Sequence, residues 1–210
     1  MNRLDTICSL IKKSQTVADI GCDHGKVSEY IIKNNLCKTL IVNDISESAL
    51  KNAVTRLNNI SANGIDIEFV CCDGAALARR KIDCAVIAGF GGNGIIEIVK
   101  SILPSRVIAA PQNYTDIVRS MLFNLGYSVA ADILVCENQK YYDILSYVYQ
   151  NSCENPPDAC ALMYGFTYKD KNEILLTKLL RDKQKIESYK KTPKNQEKLR
   201  IIKEVLSWQR

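Results

Sequence analysis

Two glycine-rich loops contain the residues whose types and spacing point to chemistry. The first is Asp19-Ile20-Gly21-Cys22-Asp23-His24-Gly25, and the second is Gly89-Phe90-Gly91-Gly92-Asn93-Gly94. Each loop lies between a strand-like apolar run and a helix-like segment, an arrangement in which backbone N–H groups approach a nucleotide. The second loop matches G-x-G-x-x-G, the pattern of dinucleotide-binding sites. The glycines alone leave open which loop holds a cofactor.

An acid at the end of the following strand distinguishes the two loops. Nucleoside binding in such sheets uses a carboxylate at that position to accept hydrogen bonds from the ribose. The strand after the first loop ends at Asn43-Asp44, whereas the strand after the second ends at Ala110-Pro111-Gln112 and has no acid. The first loop is therefore predicted to hold the nucleoside.

The chemical class of the cofactor follows from Asp23, which lies in the middle of the first loop. A carboxylate there repels a pyrophosphate and attracts the ammonium of S-adenosylmethionine. Asp73, after the third strand, is placed to accept a hydrogen bond from the adenine amino group. The alternative is that each acid only caps a following helix. The predicted cofactor-binding residues are Asp19, Gly21, Cys22, Asp23, His24, Gly25, Asn43, Asp44, Ile45, Cys72, Asp73, Gly74, Ala88 and Gly89.

The loop after the fourth strand is expected to face the reacting methyl group, because ligands collect at the carboxyl ends of parallel strands. Its residues Ala88 to Asn93 include no Asp, Glu, His, Cys or Lys. Such a loop suits a nucleophile that is already free, for example a ring nitrogen. Gly91 and Gly92 are the predicted catalytic positions because they permit close backbone approach; a tight turn that starts a helix is the alternative.

Two further motifs have competing interpretations. His24 is the only histidine, and it is either a general base or, as we favour, a residue that shapes the pocket through hydrogen bonds. Asn155-Pro156-Pro157-Asp158 is similar to the substrate loop of amino-group methyltransferases. It follows the last strand rather than the fourth and lacks the aromatic residue, so we interpret it as part of a linker.

Short β-rich runs alternate with helical patterns over the first 150 residues, which favours a parallel sheet with crossover helices. The predicted strands are Thr16–Ile20, Thr39–Asn43, Ile67–Cys71, Cys84–Ala88, Arg106–Ala110, Ser128–Glu137 and Tyr142–Tyr149. The predicted helices are Leu4–Lys12, Val27–Asn34, Glu47–Asn59, Gly94–Ser101 and Thr115–Leu125.

The last two strands are joined by Asn138-Gln139-Lys140, which is too short for a crossover helix, so they must form an antiparallel hairpin at one edge. This predicts an α/β fold with the doubly wound seven-stranded sheet of class I methyltransferases. After a linker around Pro156-Pro157, helical spacing and Thr192-Pro193 predict a helical hairpin that projects from the body. We therefore divide the chain into a methyltransferase domain, 1–152, and a linker with a basic hairpin, 153–210.

Composition excludes several classes of protein. The 210 residues are 47% hydrophobic and 24% charged, as in a folded, soluble chain, and no apolar run approaches a membrane span. We expect a cytoplasmic protein. The nine cysteines form no C-x-x-C pair, so we expect reduced, buried thiols and no metal site. Residues 169–210 carry 13 Lys and Arg against 6 Asp and Glu, which indicates either an anionic partner or a solvated helical face.

These features together resemble the bacterial tRNA adenine-22 N1-methyltransferase family, often called TrmK. The resemblance rests on Ala18-Asp19-Ile20-Gly21 with Asp23-His24, on Asp73-Gly74, and on Ala88-Gly89-x-Gly91-Gly92. Asn113, Glu137 and Tyr142-Asp143-Ile144-Leu145 also fit, as does a basic helical pair after the sheet. The family commonly has Gln-Pro-Asn after the fifth strand, where this chain has Pro111-Gln112-Asn113.

The resemblance implies methyl transfer from S-adenosylmethionine to N1 of adenine 22 in tRNA, with the base taken out of its stack. It implies that Tyr114 or Phe90 stacks on the base, that Gln112 or Asn113 reads its edge, and that Tyr142 lies on the substrate side. The partner is then tRNA, with no membrane and no metal, and the chain acts as a monomer. The residues expected to grip tRNA phosphates are Lys178, Arg181, Lys185, Lys194, Lys198 and Arg200.

Two other functions stay open at this point. One is a methyltransferase of the same fold that acts on a small molecule or a protein, with the basic hairpin serving dimerisation. The other is a non-catalytic RNA-binding module that keeps a vestigial cofactor pocket.

Overall fold

A computed structural model of the chain describes residues 2–62, 64–151 and 155–209. The strands are β1 (Thr16–Ile20), β2 (Thr39–Asp44), β3 (Asp66–Cys71), β4 (Cys84–Ala88), β5 (Arg106–Ala110), β6 (Tyr127–Glu137) and β7 (Lys140–Tyr149). The helices are α1 (Arg3–Ser9), α2 (Lys26–Lys33), α3 (Glu47–Leu57), α4 (Gly92–Ile102), α5 (Thr115–Asn124), α6 (Ala159–Tyr164), α7 (Glu173–Glu187) and α8 (Pro193–Trp208). A 3-10 helix, Gly74–Arg79, follows β3.

All seven strands form one sheet in the order β3-β2-β1-β4-β5-β7-β6. The first five strands in sequence are parallel, and β7 pairs antiparallel with both β5 and β6. The predicted doubly wound seven-stranded sheet with an antiparallel edge hairpin is therefore confirmed. The sheet brings the carboxyl ends of β1, β2, β3, β4 and β5 to one edge, where both glycine loops lie.

Hydrophobic side chains cover both faces of this sheet, as expected for strands that run through the middle of a domain. One cluster, which includes Ile31 and Leu40, packs beneath α1, α2 and α3. The other, which includes Ile87 and Ile95, packs beneath α4 and α5. These two layers hold the strand ends rigidly in register.

Some predicted boundaries were wrong. Asn138 and Gln139 both have positive φ, +50° and +61°, as in the two-residue turns that suit tight hairpins. For that reason β7 begins at Lys140, which we had assigned to the turn, and not at Tyr142. Helix α4 begins at Gly92 rather than Gly94, and α1 ends at Ser9 rather than Lys12. Neither α6 nor the 3-10 helix was predicted.

The C-terminal helices form the expected antiparallel hairpin. The backbone N–H of Asn172, before α7, donates to Oε1 of Gln209, after α8, at 2.8 Å, so the start of one helix meets the end of the other. Thr192 caps α8 by accepting from the N–H of Asn195 at 3.2 Å, and Pro193 follows it as predicted. The hairpin also packs against Leu134 of β6, so it is docked along the sheet edge rather than simply projecting.

A buried ionic cluster connects this region to the sheet. Arg119 of α5 has a fully buried side chain and donates two hydrogen bonds to Asp132 of β6, at 2.7 and 2.8 Å. It also donates to Asp143 of β7 at 2.9 Å and to the carbonyl of Leu162 in α6 at 2.9 Å. The two carboxylates hold the pKa of Arg119 above its ordinary value against the effect of burial. One guanidinium thus joins four elements.

Asp158, in the predicted linker, forms hydrogen bonds that begin helix α6. Asp158 caps α6 by accepting from the N–H of Ala161 at 2.8 Å, and it also accepts from the hydroxyl of Tyr168 at 2.9 Å. The domain boundary predicted between 152 and 153 lies outside the described residues.

The cysteines are only partly as expected. Over the described residues they are free thiols, and burial raises the pKa of Cys8, Cys22 and Cys84 to about 12. Cys71 and Cys136 are exposed, however, and Cys72 is half-buried; for these three the prediction of burial was wrong. Cys153 is outside the described residues. No helix in the described part of the chain is long and apolar enough to cross a membrane.

Candidate active site

The loop between β1 and α2 is held open by three residues with positive φ. Gly21, Asp23 and Gly25 have φ values of +72°, +49° and +67°. A Cβ at Gly21 would overlap the ring of Phe90. The backbone N–H groups of Gly21 and Cys22 donate to the carbonyl of Asn43, at 2.9 and 3.0 Å. The loop is thereby fastened to the end of β2.

Asp19, at the end of β1, is 4% exposed. Its Oδ2 accepts from the hydroxyl of Ser28 at 2.6 Å and from the Ser28 backbone N–H at 3.1 Å. Burial raises the pKa of Asp19 to about 6, and the two bonds from Ser28 oppose that rise. Asp19 therefore fixes α2 against the glycine loop and places a carboxylate behind it.

Asp44 connects the glycine loop to α3. Its Oδ2 accepts from the backbone N–H of Asp23 at 3.1 Å, and its Oδ1 accepts from the N–H of Ser46 at 2.9 Å. An ionised carboxylate has about four acceptor positions. Each oxygen of Asp44 therefore keeps capacity for one more hydrogen bond, which is what two neighbouring ribose hydroxyls need.

The ends of β2 and β3 are joined by Asn43. This buried side chain donates to the carbonyls of Val70 and Cys72, both at 2.9 Å. Asp73 is exposed, and its Oδ1 accepts from the N–H of Ala75 at 2.8 Å, so it caps the 3-10 helix. The capping alternative raised from the sequence therefore holds for one oxygen of Asp73, and the other oxygen stays available.

Two cavities adjoin these residues. The nucleoside cavity has a volume of about 350 Å³ and is lined by Asn43, Asp44, Ile45, Asp73, Gly74 and Phe90 among others. The α1 cavity has a volume of about 340 Å³ and is lined by Arg3, Asp19, Cys22, His24, Lys26 and Glu137 among others. Gly21, Asp23 and Ala88 line both, so the two cavities meet at the glycine loop.

The predicted cofactor residues are thus brought together, with differences of role. His24 is 58% exposed, and its Nε2 lies 3.7 Å from a carboxylate oxygen of Asp23. Gly89 faces open space, with nothing within 4 Å of an added Cβ. Gly25 packs closely on Ala53 of α3, so its contribution is to the shape of the loop.

The loop between β4 and α4 is coupled to the end of β5. The side-chain oxygen of Asn113 accepts from the N–H of Gly92 at 2.9 Å, so a residue from another loop caps the first turn of α4. The N–H of Gln112 donates to the carbonyl of Phe90 at 3.0 Å. A Cβ at Gly92 would lie 2.8 Å from the Asn113 carbonyl oxygen. Glycine is therefore required where the two loops touch.

The predicted substrate-side aromatic residues occupy three different places. Phe90 lies against Gly21 and lines the nucleoside cavity. Tyr114 is 55% exposed, with φ of +53°, directly after Asn113. The ring of Tyr142 is covered by the guanidinium of Arg3, whose carbon lies 5.1 Å from the ring centroid.

The six predicted phosphate-binding residues are not equivalent. Lys178 pairs with Asp182 at 3.4 Å, and Arg181 donates to the carbonyl of Gln139 at 3.0 Å. Arg200 is held by Glu197 and Glu204, at 2.8 and 3.0 Å. The other three, Lys185, Lys194 and Lys198, form no ion pair with any residue that the structure describes.

Lys178, Lys185 and Lys198 also line a cavity of about 360 Å³ between the hairpin and the first turn of α5. Thr115 and Asp116 line its opposite wall. The hairpin therefore faces the segment that directly follows Tyr114, at the edge of the site.

The sequence did not reveal that α1 borders the site. Arg3, Leu4 and Ile7 of α1 line the α1 cavity. No motif or spacing marks them, because the position of α1 depends on how it packs on β6 and β7. In the described segments, no group of three or more His, Cys, Asp or Glu side chains is arranged to hold a metal.

Comparison with known proteins agrees with this arrangement. The sequence profile of a family described as a methyltransferase domain matches residues 1–145. A Mycoplasma genitalium protein named "Putative tRNA methyltransferase MG248" is 33% identical over 150 residues, which cover 68% of this chain and 67% of that protein. The Bacillus subtilis tRNA (adenine(22)-N(1))-methyltransferase is 25% identical over 197 residues, 89% of this chain and 82% of that protein. The chain belongs to the TrmK family.

Solved structures have the same fold. TrmK from M. capricolum, in complex with S-adenosylhomocysteine, superposes with a TM-score of 0.88 at 21% identity and covers 100% of this chain and 99% of that one. The B. subtilis TrmK structure superposes with a TM-score of 0.76 at 23% identity, over 98% and 97% of the two chains. The TrmK fold therefore extends through the helical hairpin.

Proposed function

We propose that this protein transfers the methyl group of S-adenosylmethionine to N1 of the adenine at position 22 of tRNA. The observation that carries the proposal is the placement of Asp44, with spare acceptor capacity on both oxygens, beside a methyl-facing loop without titratable side chains. The B. subtilis relative, a tRNA (adenine(22)-N(1))-methyltransferase, supports the choice of acceptor.

The residues of the two cavities fit the parts of the cofactor. Asp44 would accept from both ribose hydroxyls, and the free oxygen of Asp73 from the adenine amino group. Asp23, with Asp19 behind it, would attract the ammonium of the amino-acid portion. When bound, S-adenosylmethionine supplies a methyl group on a positively charged sulfur.

The acceptor side of the site acts by alignment. N1 of adenine has a free lone pair at neutral pH, so no side chain has to remove a proton before the attack. Asn113, fixed by its bond to Gly92, presents its amide at the mouth of the site next to the exposed Tyr114. A base taken out of the tRNA stack would be held by these two residues, and holding reactants in line supplies much of the rate enhancement.

The hairpin would bind the tRNA backbone. Its unpaired lysines, Lys185, Lys194 and Lys198, are the residues best able to exchange bound counterions for phosphate. We propose that Lys178, Arg181 and Arg200, which are engaged within the protein, mainly shape this surface. A tRNA substrate implies work in the cytoplasm, and we propose that the chain acts as a monomer.

The test is methyl transfer from isotope-labelled S-adenosylmethionine, followed by nucleoside mass spectrometry of the tRNA. Labelled N1-methyladenosine is the expected product, and the folded Asp44→Ala protein should give much less of it at a cofactor concentration that does not saturate this variant. Label on N6-methyladenosine or on a guanine would show that the acceptor is misassigned. Label only in protein or small molecules would support the alternative of a methyltransferase of this fold with another substrate.

A further inference from the structure

The cavity between the helical hairpin and the first turn of α5, here called the hairpin cavity, shares no lining residue with the nucleoside cavity or the α1 cavity. Its volume of about 360 Å³ is within the range of small-ligand sites. The apolar part of its lining comes from Met163, Tyr164 and Ile186, which pack on the core of the hairpin. Thr115, on the opposite wall, directly follows Tyr114, so the cavity begins one residue from the position proposed for the target base.

Tyr189 gives the hairpin cavity an aromatic ring that is 49% exposed. Among the residues that the structure describes, none forms a hydrogen bond with its hydroxyl or an aromatic or cation–π contact with its ring. Tyr189 lies on the turn between α7 and α8, and hydrogen bonds fix that turn. The carbonyl of Lys190 accepts from the N–H of Thr192 at 2.9 Å and from Nδ2 of Asn195 at 2.8 Å. The ring is therefore held in place and open to stacking.

The same turn is positively charged. Residues 185–198 contain two glutamates, and each of them is near a cation of its own helix. Glu187 lies 3.8 Å from Lys183, and Glu197 lies 2.8 Å from Arg200. The segment also contains five lysines that form no ion pair with any residue in the described ranges, namely Lys185, Lys190, Lys191, Lys194 and Lys198. Free cations beside an exposed ring match the phosphates and the base of a nucleotide.

The acids of the hairpin cavity do not cancel this charge. Asp143 accepts from Arg119 at 2.9 Å, and Asp182 lies 3.4 Å from the Nζ of Lys178, so both are paired within the protein. Asp116 is exposed on the α5 wall, opposite the lysines, and forms no ion pair in the part of the chain that the structure describes. A carboxylate in that position can accept a hydrogen bond from the amino group of a base.

We infer that the hairpin cavity binds a second, unpaired nucleotide of the tRNA, with its base stacked on Tyr189 and its phosphates bound by Lys185 and Lys198. The nucleotide has to be unpaired, because the bases of an RNA duplex stay stacked on one another and offer no free face. The inference rests on the proposed function and adds to it a position at which the enzyme recognises the folded tRNA beyond the target adenine.

Filter binding of the full-length protein to two RNAs tests this inference. The probes are an unmodified tRNA transcript and a blunt-ended RNA duplex without unpaired nucleotides. Tyr189→Ala should weaken tRNA binding by about 5- to 150-fold, the range found when a stacking ring is removed. The slope of log affinity against log salt concentration should stay the same, because stacking releases no counterions. The affinity for the duplex, which binds through phosphates alone, should change less than about twofold.

Two further variants serve as controls. Tyr189→Phe keeps the ring and should bind tRNA like the wild type. Trp208→Ala removes a ring of similar exposure, 47%, at the opposite end of the hairpin, and it should leave tRNA affinity unchanged.

A fluorescence measurement keeps the test decisive if Tyr189→Ala folds poorly. Trp208 is the only tryptophan, so Tyr189→Trp in a Trp208→Phe background places a single indole on the turn. Stacking on a base should quench its emission when tRNA is added, whereas the duplex should leave the emission nearly unchanged.

Other outcomes overturn the inference. Unchanged tRNA affinity in Tyr189→Ala, or an indole that tRNA does not quench, would remove the base from the cavity. Equal losses for tRNA and duplex, or a loss with a smaller salt slope, would show that Tyr189 only supports the lysines. In each of these cases the wild type would still methylate tRNA. A wild-type protein that neither binds nor methylates tRNA would instead refute the proposed function.

Discussion

The substitution Asp44→Ala removes the carboxylate that we propose binds the ribose of the cofactor. Each Asp44 oxygen already accepts one backbone N–H, from Asp23 or Ser46, and has room for one ribose hydroxyl. Hydrogen bonds to charged groups contribute about 1.5–3 kcal/mol each, and paired bonds are not additive. We therefore expect a total loss of about 1.5–3 kcal/mol, or roughly 10- to 150-fold in the affinity for S-adenosylhomocysteine.

Isothermal calorimetry on folded protein measures this loss. The analogue of S-adenosylhomocysteine that carries an aminopropyl group in place of the amino acid should lose the same factor, because it keeps the ribose. Asp44→Asn keeps one acceptor oxygen and should lie between wild type and Asp44→Ala. The substitution also frees the N–H groups of Asp23 and Ser46, so we expect a loss of stability of about 1 kcal/mol, or about 2–4 °C in Tm. Unchanged affinity in a folded Asp44→Ala protein would refute the assignment.

Three further predictions concern the tRNA surface, the reaction loop and the ionic cluster. The double variant Lys185→Gln/Lys198→Gln should weaken tRNA binding and reduce the slope of log affinity against log salt concentration by about 2. The control Arg200→Gln breaks contacts to two glutamates and should leave that slope nearly unchanged. Filter binding over a series of salt concentrations measures both slopes. Gly92→Val should abolish methylation, because its Cβ would lie 2.8 Å from the Asn113 carbonyl oxygen and push that loop away. S-adenosylhomocysteine should still bind to this variant. Retained turnover would contradict the proposal that the base approaches the backbone of this loop. Arg119→Met should lower the free energy of unfolding by about 3–5 kcal/mol, because it leaves the buried Asp132 and the half-buried Asp143 without their cation. Denaturant titration measures this loss, and a change below about 1 kcal/mol would show that the cluster is dispensable.

The sequence predicted the sheet well because its parallel strands are short, apolar and separated by helical periods. β1, β4 and β5 have the predicted bounds, since each is an unbroken buried run between polar segments. The turn at Asn138 and Gln139 was predicted one residue too long, and β7 begins two residues earlier than predicted. The length of this turn depends on the positive φ of both residues, which no apolar pattern encodes. Short helices such as α6, which depend on one cap and on tertiary packing, gave too weak a pattern.

The site was predictable only in part. Asp44 and Asp23 line one cavity, as their positions at the end of β2 and in the loop after β1 led us to expect. The sequence left open whether Gln112 or Asn113 faces the base. It also gave no sign that the Asn113 side chain accepts from the N–H of Gly92, because this contact depends on two loops meeting in space. The position of Arg3 at the α1 cavity was missed for the same reason. Counting formal charges also overestimated the number of cations available to bind tRNA. Arg200 contributes to the positive charge of the C-terminal segment, but it forms ion pairs with Glu197 and Glu204 of its own helix.

The most direct test of the central claim is fragment-resolved mass spectrometry of an unmodified tRNA transcript after incubation with the protein and S-adenosylmethionine. The account predicts one methyl group, on N1 of the adenine in the fragment that contains position 22, and none when that adenine is replaced by guanine. A methyl group at any other position or atom, or an equal yield from the guanine-substituted transcript, would contradict it.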